Sequence, residues 1–245
     1  MENSYAFFDV DGTLLKIKSM FSFHDYWYRR WARASSQAEL EEYEDVTAIL
    51  RGLVDSAAPR ELINRRYYEF FAGRSVDAVV GCAQAWARSM IADPEMFIPE
   101  VIDALEALRA KGVEPVFVSG SFKEVLAPIA EHLRVGEVLA TRLLHAGGKY
   151  TGRFEAPQTI GEGKAVAITE FFAPRAAKAA NCWAFGDDVS DVPMLSAVGH
   201  PVAVIRDRAL GSIARSHEWR CLYLATPEDR PLDRAGLSAL IGEAA

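Results

Sequence analysis

Two aspartates at the end of a short apolar run constrain this chain more than any other feature. Residues 5–13 read Tyr-Ala-Phe-Phe-Asp-Val-Asp-Gly-Thr. An apolar run of this length that closes on a glycine predicts a buried strand ending at a turn. Side chains alternate along a strand, so Asp9 and Asp11 point the same way at its C-terminal end. Carboxylates crowded there repel each other unless a cation lies between them. Strand ends in open parallel sheets are where ligands bind. The first strand therefore predicts a metal-assisted site.

The remainder of the chain decides what surrounds that strand. After Leu15 the texture changes, and residues 16–98 lack convincing strands. Phe21 to Trp31, Leu40 to Leu53, Pro59 to Phe71 and Val76 to Ile91 have helical periodicity. Their aromatics, Trp27, Trp31, Tyr67, Phe70, Phe71 and Trp86, are expected to form a helical core rather than a binding stripe. From Pro99 the pattern alternates. A helix from Pro99 to Lys111 stops at Gly112, with proline at its first turn and glycine past its end. Glu114 to Ser119 reads as a strand, followed by a helix from Phe122 to Leu133. Val138 to His145 is strand-like, and the glycine-rich stretch from Ala146 to Gly152 suggests a hairpin. Gly163 to Phe172 is helical, Asn181 to Phe185 a strand, and Ser190 to Val198 a helix. Strands at Val202 to Ile205 and Cys221 to Leu224 follow. This series predicts an α/β fold with a parallel sheet (residues 1–15 and 99–245), interrupted after its first strand by a helical insert (residues 16–98).

Charge and cysteine content narrow the function. The 245 residues carry a net charge of −7, which argues against a nucleic-acid groove or an anionic membrane surface as main partner. Half the residues are hydrophobic, enough for a real core, yet no window approaches the roughly 20 apolar residues of a membrane span. Cys82, Cys182 and Cys221 are far apart and form no CxxC pair, so a disulfide framework or zinc site is not expected. The start has no basic stretch followed by a long apolar one, and a cytoplasmic location is expected.

Four stations carry chemistry, each at a strand or helix end. They are Asp9-x-Asp11-Gly12-Thr13, Ser119-Gly120-Ser121, Lys164 after Gly161-Glu-Gly163, and Gly186-Asp187-Asp188-Val-Ser190-Asp191. Carboxylate oxygens are the hard ligands that Mg²⁺ takes, so Asp9 and Asp187 can serve as ligands. Ser119 and the amides near Thr13 and Gly120 can cradle phosphate oxygens, as helix N-termini do. Lys164 supplies a point charge for phosphate and carboxylate alike. Asp9 suits attack on phosphorus, and Asp11 suits protonation of the leaving alkoxide and activation of water. Phosphoryl transfer depends mostly on such positioning and charge neutralisation.

The ordered set Asp9-Val-Asp11-Gly-Thr13, Ser119, Lys164 and Gly186-Asp187-x-x-x-Asp191 resembles the haloacid dehalogenase superfamily. Within it the chain looks like the subfamily IB hydrolases, close relatives of phosphoserine phosphatase. The stretch from Ala140 to Arg153 and on to Lys164 is similar to that subfamily as well. The resemblance implies a Rossmann-like parallel sheet core with an inserted all-helical cap of the C1 type. It implies Asp9 as nucleophile and Asp11 as acid/base. It further implies Mg²⁺ held by Asp9, the Asp11 carbonyl and Asp187. Ser119 and Lys164 would lie on the phosphate and Asp191 would support the site, with Asp188 as a spare carboxylate on the metal side. The substrate class it implies is a small phosphorylated metabolite, acted on by a monomer or homodimer.

One position departs from the pattern. Phosphoserine phosphatases carry a glutamate nine residues after the nucleophile, where it receives the substrate ammonium; this chain has Lys18. A cation repels an ammonium, so an anionic or hydroxyl-rich leaving group is expected, with Lys18 facing it. Three functions follow: a phosphatase, a phosphotransferase passing the phosphoryl group to an acceptor alcohol, and an idle binding or regulatory protein on the same fold.

Overall fold

In the computed structural model of the chain, residues 3–31, 37–175, 177–206 and 208–224 are described. The apolar run at the start forms β1 (Tyr5–Phe8), buried at every residue. Four helices follow: α1 (Ser19–Tyr26), continued by a π-helical turn over Trp27–Trp31, α2 (Gln37–Asp55), α3 (Arg60–Glu69) and α4 (Val76–Ile91). The alternating part then runs α5 (Pro99–Ala110), β2 (Glu114–Phe122), α6 (Lys123–His132), β3 (Glu137–Thr141), β4 (Leu143–Ala146), β5 (Lys149–Phe154) and α7 (Glu162–Phe172). It closes with β6 (Trp183–Gly186), α8 (Val192–Ser196), β7 (His200–Ile205), α9 (Arg208–Ser216) and β8 (Arg220–Tyr223).

Six strands make one sheet in the order β3-β2-β1-β6-β7-β8, and every neighbouring pair is parallel. This is the expected α/β fold. The chain winds outward from β1 on one side, then returns to β1 and winds outward on the other. The C-terminal end of β1, between those of β2 and β6, is the topological switch where such sheets bind ligands.

Strand alternation divides the core in two. Tyr5 and Phe7 pack with Ile168 and Phe171 of α7 and with Met194 and Leu195 of α8. Ala6 and Phe8 face the other side, into a cluster that continues through the helices of residues 16–98. There Phe23 lies among the rings of Phe71, Trp86 and Phe122 at 5.9–6.3 Å. Trp86 Nε1 donates to Ser22 Oγ (3.0 Å), so the indole buries its body without orphaning its N–H. Full burial of one such apolar side chain stabilises the fold by about 1.5–3 kcal/mol. The helical segment thus shares a core with the sheet. Its two connections also pair with each other: Lys16 N donates to Met96 O and Ile98 N to Leu14 O, both at 2.9 Å.

The structure corrects several sequence expectations. Val138 to His145 is not one strand. β3 ends at Thr141 in the main sheet, and β4 starts at Leu143 in a separate antiparallel hairpin with β5. The strand expected to end at Ser119 continues to Phe122 through a register shift, and α6 starts at Lys123. The helix expected from Ser190 is a 3-10 turn (Val189–Asp191) leading into the short α8. Trp27, Tyr67, Phe71 and Trp86 are buried as expected, whereas Trp31 is exposed. The sheet part was expected to run to residue 245; residues 225–245 lie outside the described residues.

Candidate active site

The site is built at the ends of β1, β2 and β6. Asp9 follows β1 and is tied to the neighbouring strand by its N–H on Phe185 O (2.9 Å). The chain then turns sharply, with Leu14 and Leu15 N both donating to Val10 O. Gly12 makes this turn possible. Its φ is +100°, and a Cβ there would sit 2.3 Å from Asp187 Oδ2. The turn thereby brings the first and fourth stations into contact. Thr13 Oγ1 lies 3.2 Å from Asp9 Oδ2 and 3.1 Å from Asp187 Oδ1.

Lys164, near the start of α7, is buried between two carboxylates. Its Nζ donates to Asp9 Oδ1 (2.5 Å) and Asp191 Oδ1 (2.6 Å). The other oxygen of Asp191 accepts from the amides of Asp187 and Asp188, both at 3.1 Å, and so shapes the loop after β6. Asp188 caps the 3-10 turn through Ser190 N (2.9 Å). Asp11 Oδ2 accepts from Ser19 Oγ (2.8 Å), while its Oδ1 is buried with no partner among the described residues.

These contacts push the carboxylates apart electrostatically. Burial alone would raise Asp9, but Lys164, Lys18 and Arg60 outweigh it and hold Asp9 below the ordinary range. Burial and the neighbouring Asp9 raise Asp11 to about 6. Burial and Asp9 also raise Asp187, to about 7. Asp188 is held at about 2, burial notwithstanding, by Arg60. Burial and Asp9 raise Asp191 against the pull of Lys164. Oxygens of Asp9, Asp187 and Asp191 lie within 4.8 Å of one another, a carboxylate set suited to a hard divalent cation. The pocket already accepts a positive charge. Lys18 Nζ donates to Asp11 O at 2.5 Å and lies 3.8 Å from Asp187 Oδ2.

Every expected residue is near the site, though not always in the expected posture. Ser119 and Gly120 line a cavity of about 300 Å³ with Asp9, Asp11, Lys18 and Lys164. Ser119 is not at a helix start. It lies in β2, and its Oγ accepts from Ser121 N (3.1 Å) across the strand's irregular turn. Lys18 lines the cavity, yet its ammonium points at Asp11 O and Asp187. Several neighbours were not foreseen. Ser19 holds Asp11, and its hydroxyl lies 3.1 Å from that of Ser121 in the second station. Asn64 Nδ2 (3.1 Å), Thr141 Oγ1 (3.1 Å) and Tyr68 OH all donate to Gly120 O. Arg206 donates to Gly12 O (3.0 Å). Arg60, from the start of α3, reaches Asp188 (2.7 Å) and Ser190 Oγ (3.2 Å).

A buried acid cluster at the switch point of a parallel sheet, next to a helical insert, defines a class of hydrolases. The chain belongs to the haloacid dehalogenase-like hydrolase family, whose model matches residues 6–196. It is an enzyme of the phosphatase type within that family. It is 31% identical over 222 residues to a probable phosphatase of Mycobacterium tuberculosis, covering 91% of this chain and 76% of that one. It is 30% identical over 229 residues to a phosphoserine phosphatase of the same organism, covering 87% and 68%. It is 32% identical over 224 residues to the inhibition of morphological differentiation protein of Streptomyces azureus, covering 91% and 79%. The fold matches a crystal structure of a Bordetella pertussis protein of unknown function with a TM-score of 0.76 at 24% identity, covering 92% and 100%. It matches a substrate-bound phosphoserine phosphatase with a TM-score of 0.63 at 16% identity, covering 91% and 93%.

Proposed function

We propose that this enzyme hydrolyses a small-molecule phosphomonoester through a phosphate ester of Asp9, with Mg²⁺ in the acid cluster. The observation that carries this reading is the opposite tuning of two adjacent carboxylates. Asp9 is ionised against Lys164, and Asp11 is pushed up to about 6 with a buried Oδ1 that has no partner among the described residues. A pair driven apart in this way divides into nucleophile and acid.

Asp9 attacks phosphorus, and the bond from phosphorus to the ester oxygen breaks. Asp11 gives its proton to that oxygen, so the product leaves as an alcohol. A water then attacks the phosphoenzyme while Asp11 takes the water's proton, and phosphate leaves with Asp9 restored. Lys164 keeps Asp9 oriented and carries positive charge beside the phosphoryl oxygens. Ser119 and Thr13 offer hydroxyls there. Asp191 holds Lys164 and, through two amides, the loop bearing Asp187. Asp9, the Asp11 carbonyl and Asp187 would hold Mg²⁺, with Asp188 nearby, and the ion would supply neutralisation of phosphoryl charge. The seating of the Lys18 ammonium on two of these groups supports a cation there. Partners are then small phosphorylated metabolites. No described helix is long and apolar enough to cross a membrane, and a cytoplasmic place fits the free thiols.

The test uses labelled substrate and rapid acid quench. Label on Asp9 is expected, and label on a serine or histidine refutes the scheme. In Asp11→Asn the phosphoenzyme should persist longer than in wild type. Asp9→Asn should lose at least about a thousandfold in turnover while keeping its melting temperature within a few degrees.

A further inference from the structure

The chemistry of the cavity wall says what kind of alcohol leaves. Beyond the acid cluster, the cavity of about 300 Å³ is walled by Met20, Phe21, Val54 and Ile63 from the helical insert and by Ile160. Val54 is 47% exposed, an apolar side chain left open at the mouth. Apolar side chains meeting a few directed polar groups are the usual make-up of an organic ligand site.

The charges at the same wall are one-sided. The carboxylates that line the cavity are Asp9, Asp11 and Asp188. Asp9 is engaged by Lys164, Asp188 by Arg60, and one oxygen of Asp11 by Ser19. Among the described residues a substrate ammonium therefore finds one free carboxylate oxygen on this wall, Asp11 Oδ1, and the proposed mechanism assigns that group to the ester oxygen. An anion finds Arg60. Both contacts of Arg60, to Asp188 and Ser190, run through one terminal nitrogen, Nη1. The guanidinium has five donors in a fixed fork, so Nη2 and Nε remain for a second oxygen pair. Lys18 is less suited, because its Nζ lies at the acid cluster, against Asp11 O and near Asp187, and a single ammonium presents no fork to an oxygen pair.

We infer that the released alcohol has an apolar body carrying an anionic group, the body lying on Met20, Phe21, Val54 and Ile63 and the anion on Arg60, which sets specificity. This rests on the phosphatase reading and names its substrate class. Phosphoserine fits poorly, since it has no apolar body and brings an ammonium.

Three benzyl phosphates test the idea, substituted at the para position with carboxylate, methyl or aminomethyl, so that the reacting ester stays nearly constant. Wild type should prefer the carboxylate to the methyl ester by about tenfold in kcat/KM, as one charge-assisted contact predicts, and should use the aminomethyl ester least. In Arg60→Met the carboxylate-to-methyl ratio should fall to within about threefold, whatever the absolute rate. Arg60→Lys, which keeps the charge without the fork, should be intermediate and serves if the methionine variant does not fold. The inference is overturned if the carboxylate ester is no better than the methyl ester. It is equally overturned if the ratio survives in a folded Arg60→Met, or if phosphoserine outperforms all three. Hydrolysis of none of the esters overturns the phosphatase reading itself, and this inference with it.

Discussion

Lys164 is the residue on which the site's charge balance turns. It is 2% exposed and touches two carboxylates. Removing one partner of a buried ion pair costs about 3–5 kcal/mol, because the other charges stay buried. Lys164→Met should therefore lower the melting temperature of the metal-free protein by about 10 °C, besides abolishing turnover. A change under about 2 °C by calorimetry would contradict the reading. His24 makes a second, independent prediction. Burial, with Arg74 nearby, lowers it from 6.5 to about 4; its ring stacks on Tyr43 and bonds Thr47 at 3.1 Å. As pH falls from 6.5 toward 4, the unfolded chain takes up this proton and the folded chain does not. Stability is therefore lost over that window, by up to about 3 kcal/mol. Asp11 and Asp187 act oppositely, since their folded forms bind protons first. The measurable quantity is a difference: melting curves of His24→Gln should fall less steeply between pH 6.5 and 4.5 than those of wild type.

At the scale of elements, the site was legible where strand ends made it so. Asp9, Asp11, Asp187 and Ser119 follow apolar runs, and a parallel sheet brings such ends together. The neighbours from the helical insert were not legible. Arg60, Asn64 and Tyr68 lie on α3 at helical spacing, but only the tertiary placement of α3 turns Asn64 and Tyr68 toward Gly120 and Arg60 toward Asp188. Spacing marks a face without saying what it meets. The break between β3 and β4 also left no mark, since Thr141 and Leu143 both favour strands and the change of sheet occurs at Arg142. The insert's two connections to the sheet are paired, and Phe23 packs against both Trp86 and Phe122. In α2, by contrast, Val46 and Leu50 are the buried residues. Amide hydrogen exchange should therefore find the Trp86 region of α4 protected like the sheet, and α2 exchanging faster. Equal protection of both helices would remove the basis for assigning motion to α2.

For the whole molecule, the resemblance to known phosphatases runs through nearly the full length and includes the insert. Activity toward an aryl phosphate should stop in excess chelator and return with Mg²⁺; unchanged rates would exclude the proposed cation. The insert also contributes Lys18, whose ammonium rests on Asp11 O and faces Asp187. The protein thus seats an ammonium of its own in the acid cluster, and a Mg²⁺ ion held there as proposed would have to displace it. On that proposal the lodger would weaken Mg²⁺ binding and steady the acid cluster before the ion arrives. Lys18→Met should consequently bind Mg²⁺ about tenfold more tightly by calorimetric titration, while its chelated form melts earlier than chelated wild type.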